Sequence, residues 1–327
     1  MDRRTFMCSV AGGLLAAPLT AIGQQQGKAA RVGFLTMDPR EAMPAVVGTI
    51  VDRLRELGYV EGRNVIFDFR NAHSEERFRE LAMQFVGVGI QVIFAQGPYA
   101  LRAARVTTAT LPIVGIDNES DPIAAGYATN LGHPGGNVTG VFLDQSEVSA
   151  KQLQLLKETV PGLTRVAVLW DDVVAAGQRE AVDNAARKLG VTVRSIVWLG
   201  PNALPEALRS ATQDGARGLI VLSTPRILNS KDRPIVATAA LKSGLPAVGL
   251  TSTFARDGLL MAYGPIQLNM YRSAATMVAK ILDGARPADI PIERPTTFNF
   301  VINMKTAKAL GLTIPQSVLA RADEVIR

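Results

Sequence analysis

The sequence predicts an α/β protein of two doubly wound, Rossmann-like lobes. Three observations predict it. From Arg31 onward, short apolar runs alternate with amphipathic helical segments, the pattern of parallel strands covered on both faces by helices. The 327 residues make the chain roughly two typical domains long. The plan also repeats. Arg31 to Leu57-Gly58 matches Arg165 to Leu189-Gly190, and Val92–Pro98 with Leu111–Gly115 matches Leu219–Pro225 with Leu245–Gly249.

Taken in order, Arg31–Thr36 reads as a buried strand. Val46, Val47, Ile50, Val51, Leu54 and Leu57 then recur at helical spacing, and Gly58 supplies a stop. Strand Val65–Phe69, helix Glu75–Val86, strand Val92–Ala95, helix Tyr99–Val106 and strand Ile113–Ile116 follow. The second half opens with strand Arg165–Trp170. Its helix carries Val182, Ala185, Ala186 and Leu189 and stops at Gly190. Phe34 and Trp170 alternate into their strands and are expected in the core. Residues 31–143 are expected to form lobe 1, with part of 265–290 returning to it. Residues 144–264 form lobe 2, and 291–327 are assigned to neither. Hinge candidates are Phe142–Glu147 and Ala262–Pro265, where Gly264 suits a backbone that must change its dihedral angles.

Residues 1–23 form a different unit. Arg3-Arg4 precedes an apolar run from Phe6 to Ile22 that is rich in Gly, Ala and Pro and short of the ~20 residues of a comfortable membrane span. Ala21 and Gly23 lie at −3 and −1 of a cut before Gln24. Arg3-Arg4-Thr5-Phe6-Met7 resembles a twin-arginine export signal; the alternative is an uncleaved anchor. Residues 24–30 are expected to be a flexible lead-in. The single cysteine, Cys8, falls inside the signal. An exported chain without thiols has no disulfide scaffold and no cysteine-ligated zinc or iron–sulfur site.

The remaining composition excludes further classes. His73 and His133 are the only histidines, too few for a histidine-ligated metal. The net charge is +6, aromatics are 6%, and Arg187-Lys188 is the one basic pair beyond the first residues. Nucleic-acid binding would want a basic stripe, often interleaved with aromatics. There is no G-x-S-x-G elbow, no P-loop and no G-x-G-x-x-G after the first strand. His73 lies in a polar stretch and His133 in a turn-rich one, which suits solvated histidines rather than general bases. No catalytic residue, metal or cofactor is expected.

Two facing α/β lobes bind ligands beyond the C-terminal ends of their strands. Helix starts there offer N–H groups and a positive dipole end to a carboxylate. The loops at those ends carry the candidate ligand residues Asp38, Gly97, Tyr99, Asp117, Glu119, Asp171, Thr224, Ser252 and Tyr263. Asp117, Glu119 and Asp121 follow a first-lobe strand, and Asp171 and Asp172 follow its second-lobe counterpart. Such carboxylates either receive a ligand ammonium or cap helices, and Asp172 before Val173-Val174 looks cap-like. Tyr99 and Tyr263 offer a ring face or a hydroxyl.

Longer motifs carry a family resemblance. They include Glu56-Leu57-Gly58-Tyr59-Val60-Glu61-Gly62-Arg63-Asn64 and His133-Pro134-Gly135-Gly136-Asn137-Val138-Thr139-Gly140-Val141. Leu155-Leu156-Lys157-Glu158 with Val160-Pro161, Arg165–Trp170 and Met261-Ala262-Tyr263-Gly264-Pro265 follow. Ile302–Leu312 and Arg321–Ile326 complete the set. From Arg31 to the C-terminus the chain resembles the extracytoplasmic substrate-binding proteins of ABC transporters, in their tryptophan/tyrosine-type group. The resemblance implies a periplasmic-binding-protein type I-like fold. It also implies a periplasmic monomer that captures an amino-acid-like molecule or other small carboxylate by hinge closure. Its partners would be a membrane permease and the ATPase of that permease. Ile116-Asp117-Asn118-Glu119-Ser120-Asp121-Pro122 departs from the glycine-rich turn usual there, though Asp121-Pro122 is retained. Gln96-Gly97-Pro98-Tyr99 also departs, where a small residue and Thr or Ser are usual. Both departures sit where a ligand is read, which opens the site to something other than an aromatic amino acid. An exported sensor presenting its ligand to a membrane receptor kinase would carry the same fold and cleft. An exported enzyme would need a catalytic pair that the sequence does not offer.

Overall fold

The computed structural model describes residues 29–143, 145–171 and 176–327. The expected export signal, most of the expected lead-in and Asp172, read as cap-like, lie outside the described residues.

The first lobe is built from β1 (Ala30–Thr36), α1 (Pro44–Glu56), β2 (Val65–Asn71), α2 (Glu75–Gly87), β3 (Val92–Gln96), α3 (Gly97–Thr107), β4 (Ile113–Asp117) and β5 (Val138–Phe142). Its strands pair in parallel in the order β2-β1-β3-β4-β5. Local chemistry sets the helices. Pro44 opens α1, where a missing N–H costs nothing, and Val47, Ile50 and Leu54 turn one stripe inward. Ser74 caps α2 by accepting from the Arg77 N–H at 3.2 Å. Alternate strand residues feed two cores. Val32 and Phe34 face one side of the sheet, and Leu35 faces the other.

The second lobe begins with α4 (Gln145–Thr159), β6 (Arg165–Trp170), α5 (Ala176–Leu189), β7 (Thr192–Val197), α6 (Leu204–Gln213) and β8 (Leu219–Val221). It continues with α7 (Pro225–Leu228), α8 (Arg233–Lys242), β9 (Ala247–Gly249), α9 (Ser252–Arg256) and β10 (Met261–Pro265). The chain then returns to the first lobe as α10 (Gln267–Leu282). There Met270, Tyr271, Ala274 and Val278 pack against Val32, Phe34 and Phe94. It crosses once more to add β11 (Phe298–Asn303), α11 (Met304–Ala309), α12 (Gln316–Leu319) and β12 (Glu324–Ile326) to the second lobe.

The second sheet runs β12-β11-β10-β9-β8-β6-β7, parallel except where β10 meets β11. Its segment β7-β6-β8-β9 reproduces β2-β1-β3-β4 of the first sheet. The sequence repeat is thus a repeat of strand order. Gly58 and Gly190, the matched helix stops, both adopt positive φ, at 93° and 64°. Phe34 is fully buried. Trp170 is partly buried against the second core, its indole N–H donating to Ser195 Oγ at 2.7 Å.

The chain passes between the lobes three times: after β5, between β10 and α10, and from Ile290 to Phe298. A small cluster joins all three. Leu143, Val148 and Leu250 are its buried members, and Tyr263 and Phe298 pack on it. The Tyr263 and Phe298 rings stack with centroids 6.0 Å apart. Gly264 has a different role from the one expected. Its φ is ordinary, but the Leu250 carbonyl oxygen occupies the place a Cβ would need. Close approach, not dihedral freedom, requires glycine there.

Candidate functional site

A cavity of about 90 Å³ lies between the lobes at the C-terminal ends of β1, β3 and β4. The first lobe contributes Met37, Asp38, Gln96, Gly97, Asn118 and Glu119 to its wall. Pro225, Asn229, Arg233, Thr251 and Thr253 face them from the second lobe, and Gln267 and Tyr271 arrive on α10. Gly97 opens α3 with φ at 82°, a left-handed conformation that favours glycine. Its missing side chain leaves the helix start next to Pro225.

The first-lobe wall is rich in acceptors. The Gln96 side-chain amide donates to the Tyr271 hydroxyl at 2.6 Å. That bond orients the amide, and Gln96 Oε1 has no partner among the described residues. Asn118 Oδ1 is likewise buried without a partner there. Asp117 is wholly buried. Its Oδ1 accepts from the backbone N–H groups of Glu119 and Ser120 at 2.8 and 3.2 Å, while Oδ2 has no described partner. Buried polar atoms are normally satisfied, so this concentration of open acceptors in and beside a cavity wall is unusual.

The second-lobe wall has the opposite character. Arg233 brings a guanidinium that is held by Asp257 and by the Leu228 carbonyl. Thr251 and Thr253 hold their hydroxyls 2.5 Å apart. Thr224, just before α7, has a buried Oγ1 without a described partner.

Two side-chain contacts bridge the lobes around this space. Ser223 Oγ donates to Glu119 Oε1 at 2.6 Å. Ser230 donates to Asp38 from Oγ at 3.0 Å and from its backbone N–H at 3.3 Å. Burial pushes the Glu119 carboxyl well above its ordinary range, and the adjacent Asp117 charge adds to this; the Ser223 bond opposes it. Burial also raises the Tyr271 hydroxyl, with the Glu119 charge next in size.

Glu119 also borders a second cavity of about 150 Å³ toward the inter-lobe crossings, together with Ser120, Gln145, Gln178 and Arg294. Gln145 Nε2 is buried there without a described partner. Arg294 contacts Asp121 at 3.2 Å.

The structure brings Asp38, Gly97 and Glu119 together on the wall of the first cavity. Asp117 stands directly behind Glu119, and Thr224 lies between Ser223 and Pro225. Tyr99 and Asp171 form another neighbourhood with Arg226, which pairs with Asp171 at 3.5 Å. Burial raises the Tyr99 hydroxyl, and the Asp171 charge raises it further. Ser252 and Tyr263 are placed elsewhere than expected. Ser252 Oγ accepts from Arg256 within α9 at 3.1 Å, while its neighbours Thr251 and Thr253 face the cavity. Tyr263 belongs to the inter-lobe cluster, because β10 turns it toward Phe298. Gln96, Asn118, Thr251 and Thr253 lie in or beside loops the sequence marked, without having been chosen. Gln267 ends another such loop, whereas Arg233 and Tyr271 carry no local signal, since positions within α8 and α10 deliver them.

The fold is that of two-lobed solute-binding proteins, with paired α/β lobes on either side of this cavity. Residues 32–326 match the family model described as ABC transporter substrate binding protein, and the chain belongs to that family. The family and the relatives described here are substrate-binding proteins, not enzymes. A tyrosine-binding protein of Clostridioides difficile is 24% identical over 95% of this chain and 93% of its own length. A Streptococcus pneumoniae ABC domain in complex with L-Trp has a TM-score of 0.82 and 26% identity, covering 91% of this chain and 100% of that one. The open, ligand-free structure of an adhesive substrate-binding protein from Clostridium difficile shares the fold, with a TM-score of 0.67 and 24% identity over 91% and 99%.

Proposed function

We propose that this protein is the extracytoplasmic solute-binding component of an ABC importer. It captures a small amino-acid-like zwitterion, or another small carboxylate, by closing its lobes on it. One observation carries this reading: an inter-lobe cavity with unpaired buried acceptors on one wall and a guanidinium with hydroxyls on the other. The Gln96 and Asn118 oxygens suit an ammonium group, which has donors and no acceptor. Arg233, Thr251 and Thr253 suit a carboxylate. The Glu119–Ser223 and Asp38–Ser230 bonds form only when the lobes approach, so ligand binding and closure support one another. Further support comes from the relatives, one of them a tyrosine-binding protein and one in complex with L-Trp. The TM-score is also higher to that complex than to the open, ligand-free structure.

In this reading residues 1–23 are the export signal, the mature protein works as a periplasmic monomer, and the closed form docks on the permease. The test is a thermal-shift screen of the purified protein against the L-amino acids and small carboxylates. A ligand at a hundred times its Kd stabilises the protein by ~2.7 kcal/mol, a plain shift in Tm. No shift across the whole panel would remove the reading.

A further inference from the structure

We propose that Glu119 is a specificity-determining residue of the cleft, a partition that confines the ligand to one chamber and excludes side chains long enough to need two. The inference rests on the solute-binding reading above and names the class of solute: compact polar amino acids rather than bulky aromatic ones.

The geometry is that of a fixed wall. Glu119 borders both the cavity under Tyr271 and the one beside Gln145 and Arg294. Its base is held because Asp117 Oδ1 receives the Glu119 and Ser120 N–H groups. Its tip is held by Ser223 Oγ at 2.6 Å. Ser223 is itself clamped, since Gln178 accepts from its N–H at 3.0 Å and donates to its carbonyl at 2.8 Å. Moving the partition aside breaks the bond between the lobes, so a ligand that needs both chambers competes with closure. Burial favours the neutral carboxyl, which lets the side chain stay inside beside Asp117.

Size points the same way. A chamber of about 90 Å³ is smaller than the ~150 Å³ cavity that takes a benzene ring, which suits a compact side chain and not a phenol or an indole. The second chamber, of about 150 Å³, supplies the missing room once the partition is gone.

The test measures the affinities of wild type, E119Q, E119A and S223A for L-alanine, L-serine, L-phenylalanine, L-tyrosine and L-tryptophan by calorimetry. Wild type and E119Q are expected to prefer the compact ligands by tenfold or more. E119A joins the chambers and gains at least tenfold for the aromatic ligands relative to wild type. S223A frees the tip and gains less; it decides the matter if E119A does not fold. Unchanged aromatic affinity in the folded variants, or a wild type that already prefers aromatic ligands, overturns the partition. Where a wild type that binds a compact ligand gives that result, the solute-binding reading stands. A wild type that binds none of these, nor any member of the wider panel, overturns both.

Discussion

Glu119 and Ser223 meet across the cleft, a carboxyl oxygen of one lobe 2.6 Å from a hydroxyl of the other. The bond ties the loop after β4 to the loop after β8 across the lobes. Its proton balance therefore bears on closure.

Closure should weaken as pH rises. Glu119 titrates above its ordinary value of 4.5 in the closed form because burial and Asp117 disfavour its charge. An open cleft hydrates the carboxyl and returns it toward that value. The closed form therefore holds more protons. Its advantage is complete below about 4.5 and is lost as pH rises through the raised value. Small-angle scattering across that range is expected to show expansion in wild type and a flatter response in E119Q. Equal responses would remove Glu119 as the titrating group.

Asp38 makes the other bridge, with both carboxylate oxygens on Ser230. The contact is exposed, so its contribution is modest. D38A is expected to weaken ligand binding by about tenfold or less while leaving unfolding within ~0.5 kcal/mol. Calorimetry paired with urea unfolding separates the two effects.

Tyr271 orients Gln96 through its hydroxyl. Y271F keeps the ring on Phe94 but removes that acceptor, at about 1 kcal/mol. Ligand affinity is expected to fall about fivefold to tenfold as the Gln96 amide loses its orientation. An unchanged Kd would mean that Gln96 Oε1 does not face the ligand.

Gly264 has no room for a methyl group against the Leu250 carbonyl. G264A is expected to destabilise the protein by ~3 kcal/mol or more through a forced backbone shift, seen as a lower urea midpoint. Y263A, a few atoms away, loses the Phe298 stack and is expected to change the open–closed balance more than direct ligand contact.

The paired lobes were legible because local patterns determine them: Phe34 and Leu35 alternate, α1 carries its stripe, and Gly58 and Gly190 stop matching helices. The place of Asp38, Gly97 and Glu119 on the cavity wall was legible because the loops after β1, β3 and β4 open there. Tyr263 was misplaced, since its position after a strand says nothing about which neighbour turns it. Phe298 does so from 35 residues away along the chain. The return of part of 265–290 to the first lobe was legible, but that α10 turns Tyr271 toward the cavity was not, since this depends on how the helix packs on Phe94. Ser252 was chosen over Thr251 and Thr253 because the winding at a helix start decides which of three adjacent hydroxyls faces inward.

The return of α10 also orders the life of the chain. A ribosome releases Ala30–Phe142 with one side of that sheet, Val32, Phe34 and Phe94 among it, covered by α1 but still lacking α10, the second helix that packs on it. The missing piece, Gln267–Leu282, is translated only after most of the other lobe. The first lobe thus waits for its last helix while most of the second is made, and for that interval part of an apolar sheet face stays uncovered.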